Sequence, residues 1–102
     1  MIVYNVTCNM LKSASSEWLD WMKNEHIPEV MQTGCFISFK ILKLLSTEST
    51  DEDINYAIQY TCENVDTLER YRRDFGPALM QKTFAKYGES VLAYRSVLEI
   101  IE

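Results

Sequence analysis

From Ile2 onward the chain alternates, with Ile2, Tyr4, Val6, Cys8 and Met10 on one face and Val3, Asn5, Thr7, Asn9 and Leu11 on the other. A period of two over this length predicts a half-buried strand. The hydroxyl-rich stretch Ser13–Ser16 then offers helix-capping side chains ahead of Glu17. Trp18, Leu19, Trp21 and Met22 gather on one side, against polar Glu17, Asp20, Lys23 and Asn24. That pattern predicts an amphipathic helix of about three turns. Pro28 restricts the residue before it and suits a first helical turn, so the spacing predicts a break near His26–Ile27. A second short helix, Pro28–Gln32, follows and stops at Gly34.

Phe36–Leu45 is an apolar run interrupted by Ser38, Lys40 and Lys43, and it predicts a second strand. Ser46–Asp53 has no large apolar residue and four acidic ones, the composition of a solvated hairpin turn. Alternation returns at Ile54, Tyr56, Ile58, Tyr60 and Cys62, opposed by Asn55, Ala57, Gln59 and Thr61. Asp66-Thr67-Leu68-Glu69 resembles a capping box with Asp66 as the cap. Leu68, Tyr71, Phe75 and Leu79 form the apolar stripe of the helix that follows. Gly76-Pro77 should kink or split that helix, and Gly88 should end it. Val91–Ile101 supplies the last strand.

The order is strand, helix, strand, strand, helix, strand. It predicts an α+β, ferredoxin-like β-α-β-β-α-β domain with a four-stranded antiparallel sheet and both helices on one face. The first and third strands should be central and antiparallel, setting Tyr4 beside Tyr60 and Cys8 beside Tyr56. Cys8 and Cys62 then lie toward opposite ends of the sheet, too far apart for a shared metal or disulfide. At 102 residues the chain fits one domain, 1–102.

Composition changes this picture chiefly by exclusion. Fifteen acidic against ten basic residues give a net charge of −5. That balance opposes binding to nucleic acid or to an anionic membrane surface. No apolar run of about 18 residues offers a bilayer span. The N-terminus lacks the basic start and apolar block of an export signal. Three cysteines, widely spaced and with no C-x-x-C pair, read as reduced thiols in a cytoplasmic protein.

The sheet face opposite the helices carries Asn5, Thr7, Asn9, Asn55, Gln59 and Thr61 at its centre. Phe39, Ile41, Val91 and Val97 are expected to flank it on the outer strands. A polar centre between apolar edges suits a sheet packed on a second copy's sheet around a small polar cavity, which predicts a homodimer. Asn5, Thr7, Asn9, Gln59 and Thr61, with Arg95 as a carboxylate anchor, are the candidate ligand-binding set. An ordinary wet sheet face explains the same residues.

His26, the only histidine, lies near Glu25 and Glu29 and is the candidate general base. A histidine favoured by a helix C-terminus is the plainer account. Trp18 and Trp21 can stack on an aromatic ligand, although core or interface anchoring explains them as well. Arg70, Arg72 and Arg73 read as a solvated, salt-bridged helix surface. No glycine-rich phosphate loop, Ser/His/Asp arrangement or metal-ligand spacing occurs, so neither a cofactor nor a metal is called for.

The segments Glu17-Trp18-Leu19-Asp20-Trp21-Met22, His26-Ile27-Pro28-Glu29-Val30-Met31 and Thr33-Gly34-Cys35-Phe36 carry a resemblance. With Tyr4-Asn5-Val6-Thr7 and Gln59-Tyr60, they resemble a bacterial family of about hundred-residue proteins of unknown function. The resemblance covers essentially the whole chain and implies a fold of the dimeric α/β-barrel type, with no activity attached. Relatives at that level include small monooxygenases, isomerases, dismutases and ligand-sensing domains, which tie fold to no one chemistry. The leading expectation is a dimeric small-molecule-binding or interaction module. The alternative is a small isomerase- or monooxygenase-like barrel enzyme using His26 and the polar sheet face.

Overall fold

A computed structural model describes residues 1–45 and 52–102. The strands are β1 (Ile2–Leu11), β2 (Ser38–Lys43), β3 (Asp53–Cys62) and β4 (Leu92–Glu99). They form one antiparallel sheet in the order β2-β3-β1-β4. The helices α1 (Lys12–Trp21), α2 (Ile27–Gln32), α3 (Val65–Asp74) and α4 (Gly76–Tyr87) cover one face, as the ferredoxin-like order predicts. The register pairs Tyr4 with Tyr60 and Cys8 with Tyr56, and sets Cys62 across from Ile2 at the far end. The expected hairpin turn falls largely on residues 46–51, which lie outside the described residues.

Burial explains why this alternation folds this way. The even-numbered residues of β1 and β3 point under the helices, and Ile58, Cys62, Tyr60, Met10 and Tyr4 are almost wholly buried there. Trp18 stacks on Tyr56 at 5.6 Å, and Phe36 packs between Tyr60 at 5.1 Å and Tyr71 at 4.8 Å. Each such ring removes a large apolar area from water, the main force holding helices to sheet.

Local expectations needed four corrections. Helix α1 starts at Lys12, directly after β1, and no side chain caps it; the serines lie inside its first turns. The break expected at His26–Ile27 is instead a continuous widened turn, π-helical over Met22–His26, leading straight into α2. Pro28 has no N–H, and its ring crowds the carbonyl four residues back, at Asn24. A π turn relieves that conflict without ending the helix. The cap of α3 is Asn64 rather than Asp66: its Oδ1 accepts from the Thr67 N–H and from the Thr67 hydroxyl, both at 2.9 Å. The two Trp residues also part company, Trp18 entering the core while Trp21 stays partly exposed.

Gly76-Pro77 splits the last helical segment into α3 and α4, and Gly88 at φ +56° closes α4, both as predicted. Strand β4 stands apart, because every one of its residues is exposed. It is an edge strand that the helices leave uncovered.

Candidate functional site

The strand register decides which side chains can share a site, because residues directly opposite one another point to the same face. In the β1–β4 pair, Tyr4 meets Val97, Val6 meets Arg95, and Cys8 meets Ala93. In the β2–β3 pair, Phe39 meets Tyr60 and Ile41 meets Ile58. Arg95, Phe39, Ile41 and Val97 therefore lie on the helix side, and Val91 also turns into the cavity there. The expectation that Phe39, Ile41, Val91 and Val97 border the polar face is corrected by this pairing. A single-residue difference in phase moves a whole strand's side chains across the sheet.

On the polar outer face Asn5 and Asn9 are hydrogen-bonded to their neighbours. Asn5 donates through Nδ2 to the Thr7 hydroxyl at 2.9 Å and to the Ser96 hydroxyl at 3.3 Å. Asn9 donates to Asp53 Oδ2 at 3.0 Å and to Asn55 Oδ1 at 3.1 Å. Gln59 lies beside Asn5 and Lys40 in the register, and Thr61 beside Val3 and Ser38. Its apolar borders are Leu42 on β2 and Leu92, Tyr94 and Leu98 on β4, all exposed. The structure thus keeps Asn5, Thr7, Asn9, Gln59 and Thr61 together and separates Arg95 and Trp21 from them.

On the helix side a cavity of about 350 Å³ opens between the sheet and the helices. Its floor is Tyr4, Val6, Cys8, Ile58, Tyr60, Ala93 and Arg95 from the strands. Trp18, Met22 and His26 close one side, and Tyr71, Arg72, Gly76, Leu79 and Thr83 close the other. None of Asn5, Thr7, Asn9, Gln59 or Thr61 takes part.

His26 reaches this cavity from the end of the π turn. Its ring stacks on Trp21 at 5.2 Å, and Trp21 in turn meets Tyr87 edge-on at 5.5 Å. Nδ1 lies 3.4 Å from the Thr83 hydroxyl, which donates its own proton to the Leu79 carbonyl at 3.2 Å. The Thr83 hydroxyl thus sits between the His26 ring and the Leu79 carbonyl and sets the orientation of the ring. Burial lowers the His26 pKa below its ordinary value; Glu29 opposes the shift, and Arg95 and Lys82 reinforce it. Glu29 is itself tied to Lys82 at 2.8 Å. The ring is accordingly neutral at pH 7 and oriented.

The other polar groups are electrostatically distinct. Burial pushes the Cys8 thiol up to about 11, with Arg95 pulling the other way, so Cys8 is a thiol and no nucleophile at neutral pH. Burial likewise raises the Tyr60 and Tyr71 hydroxyls above their ordinary value. The Tyr60 hydroxyl and the Trp18 indole nitrogen are buried without a hydrogen-bond partner. Arg72 lies over the Tyr4 ring at 5.1 Å and near Glu69 at 3.7 Å, so one member of the expected solvated arginine run borders the cavity. Among the described residues no cluster of His, Cys, Asp and Glu is arranged to hold a metal.

Sequence reasoning picked out His26 and Arg95 singly and did not join them. It weighed Tyr60 as a pocket donor and Arg72 as an anion grip but preferred a structural account of both, and it did not raise Tyr71 or Thr83 as site residues. The signal for Arg95 was the in-phase pairing of β4 with Val6, visible only once β4 is placed against β1.

Comparison with known proteins agrees with this architecture. A protein of the ethyl tert-butyl ether d (EthD) family from Bacillus halodurans is 14% identical with a TM-score of 0.69, covering 99% of this chain and 100% of that one. A dimeric ferredoxin-like protein from an uncultured marine organism is 11% identical with a TM-score of 0.66, covering 99% and 95%. A putative antibiotic biosynthesis monooxygenase from Deinococcus radiodurans is 10% identical with a TM-score of 0.66, covering 100% and 94%. At such identities the likeness speaks to fold alone. No curated protein matches the chain significantly. The family described as Domain of unknown function (DUF4286) matches residues 1–101.

Proposed function

Because the chain belongs to the DUF4286 family of domains of unknown function, we propose from its own geometry that it is a small-molecule-binding module. The binding site of this reading is the cavity between the helices and the sheet. The observation that carries it is the cavity's make-up: about 350 Å³ of mainly apolar and aromatic wall with a few converging polar groups. That is the form of small-ligand sites, at the lower end of their range of roughly 300–1,000 Å³. The test is calorimetric titration with 2-naphthol, followed in parallel by methyl NMR of Val6, Ile58 and Leu79. Saturable shifts at those methyls, lost in Ala93→Phe with the fold retained, support the reading. No shifts at millimolar probe, or binding indifferent to Ala93→Phe, overturns it.

The module is a homodimer in this proposal, joined through the outer sheet faces. Exposed Leu42, Leu92, Tyr94 and Leu98 around the polar layer of Asn5, Thr7, Asn9, Gln59 and Thr61 support that. So does the dimeric state of the ferredoxin-like protein that shares the fold. Sedimentation across a concentration series tests it: Leu92→Lys with Tyr94→Lys should give monomers, and a monomeric wild type ends the idea. Free, buried thiols at Cys8, Cys35 and Cys62 suit a reducing cytoplasm, and the net charge of −5 disfavours nucleic acid as a partner.

A second reading has its own observation, the neutral His26 ring held beside Thr83 at the cavity wall. Such a base can take a proton from carbon beside a carbonyl, the first step of isomerase-like chemistry. Loss of deuterium from deuterated 2-indanone should be faster with wild type than with His26→Ala. Equal rates would leave binding alone.

A further inference from the structure

We infer that the ligand is an organic anion, an apolar body of about naphthalene size carrying one carboxylate that Arg95 grips. This inference rests on the cavity being the binding site and adds the chemical class of its occupant.

Charge placement is the first support. The chain carries a net charge of −5, yet the ionisable side chains around the cavity are Arg72, Arg95, His26, Cys8 and tyrosines, with no carboxylate among the described lining residues. An acidic protein has placed two arginines and no carboxylate around this cavity. Such an arrangement attracts anions and repels cations.

Arg95 itself is the second. The chain has four arginines. Arg70 donates to Cys35 Sγ at 3.4 Å, Arg72 pairs with Glu69 at 3.7 Å, and Arg73 pairs with Asp74 at 2.8 Å. Arg95 alone has no hydrogen-bond or ion-pair partner among the described residues. It stands on the helix side of β4, opposite Val6, and borders the cavity. Its charge also lowers the pKa values of Cys8 on β1, His26 and Tyr71 on α3, which line the same cavity. A planar guanidinium matches a carboxylate with two parallel hydrogen bonds.

The walls define the rest of the molecule. Val6, Ile58, Met22, Leu79 and Val91 are apolar, and Tyr4, Trp18 and Tyr71 offer ring surfaces. A compact, strongly hydrated anion such as inorganic phosphate would lose water against those walls with nothing in return. A carboxylate on an apolar body keeps its head at Arg95 and removes its body from water.

Paired probes of nearly equal shape test this: 2-naphthol, neutral at pH 7, and 2-naphthoate. Calorimetry on the full chain should give naphthoate about tenfold tighter binding than naphthol at low salt, with the preference shrinking as salt is added. Arg95→Gln should bring naphthoate to the level of naphthol and leave naphthol unchanged, while Arg95→Lys retains part of the preference. Arg95 is exposed on an edge strand, so these variants fold. Equal affinity for both probes in wild type, or a preference indifferent to Arg95→Gln, overturns the anion while leaving the binding site standing. Failure of both probes to bind overturns the anion and the binding site together.

Discussion

Replacing Tyr60 by phenylalanine removes a hydroxyl that the fold buries and gives no partner. The residue is 2% exposed at the centre of β3, its ring held against Phe36 at 5.1 Å. A buried polar group without a hydrogen bond costs about 1–3 kcal/mol. The oxygen-sized void left by the substitution, about 15 Å³, costs roughly 0.4 kcal/mol at ~24 cal/mol per Å³. The net effect is a stabilisation of about 1.5 kcal/mol, which for a domain near this size raises Tm by roughly 6–12 °C. Alkali adds an independent readout. Burial, with lesser contributions from Tyr71, Cys8 and Tyr4, holds the hydroxyl protonated beyond its ordinary value. Its contribution is thus fully present below about pH 10, where an unfolded tyrosine begins to ionise, and is lost as pH rises further. Urea unfolding at pH 7 and pH 10.5 should show the variant more stable at the first and less sensitive to the second. Destabilisation by about 1 kcal/mol at unchanged m, with the alkaline loss intact, would refute the orphaned hydroxyl.

Three further outcomes follow from local geometry. Cys8, with its thiol pushed up to about 11, should be alkylated by iodoacetamide at pH 8 roughly a hundredfold more slowly than a free cysteine, read by peptide mass spectrometry. Asn64→Ala should cost about 1 kcal/mol, since it strips the Thr67 N–H of its cap, and Asn64→Asp should recover most of that in thermal melts. His26 has a folded pKa below that of the unfolded chain, near 6.5, so its stabilising effect is present above about pH 6.5 and lost as pH falls. Urea midpoints should therefore drop between pH 7.5 and 5.5 in wild type and drop less in His26→Gln; equal slopes would contradict the burial of that ring.

How far the sequence could be read follows from the range of each interaction. Alternation along β1 and β3 is a local property of the chain. The two central strands, their antiparallel pairing and the Tyr4–Tyr60 register could all be reached from it. The Gly76-Pro77 division and the Gly88 stop were likewise legible, because proline geometry and positive φ act on their own residues. The edge strands were harder. Phe36–Leu45 and Val91–Ile101 are apolar on both faces, so no alternation fixes their phase, and Phe39, Ile41, Val91 and Val97 were assigned to the wrong side. Arg95 went with them. Nor does any local signal reveal that Thr83, far along the chain, orients His26.

That same edge strand joins the two proposed surfaces. On β4, Arg95 and Ala93 face the cavity, while Leu92, Tyr94 and Leu98 face outward. A strand exposed on both faces is held by one hydrogen-bonded neighbour, β1, and by little packing. Packing a second copy against Leu92, Tyr94 and Leu98 would restrict the strand that carries Arg95. Holding a carboxylate at Arg95 would restrict the strand that meets the second copy. Binding energy at either face is spent partly on ordering the same eight residues, so whichever event comes first lowers the cost of the other. Positive coupling between ligand and dimer is therefore the expected sign. It would show as naphthoate shifting the sedimentation equilibrium toward dimer, and as naphthoate binding more weakly to Leu92→Lys/Tyr94→Lys despite an untouched cavity.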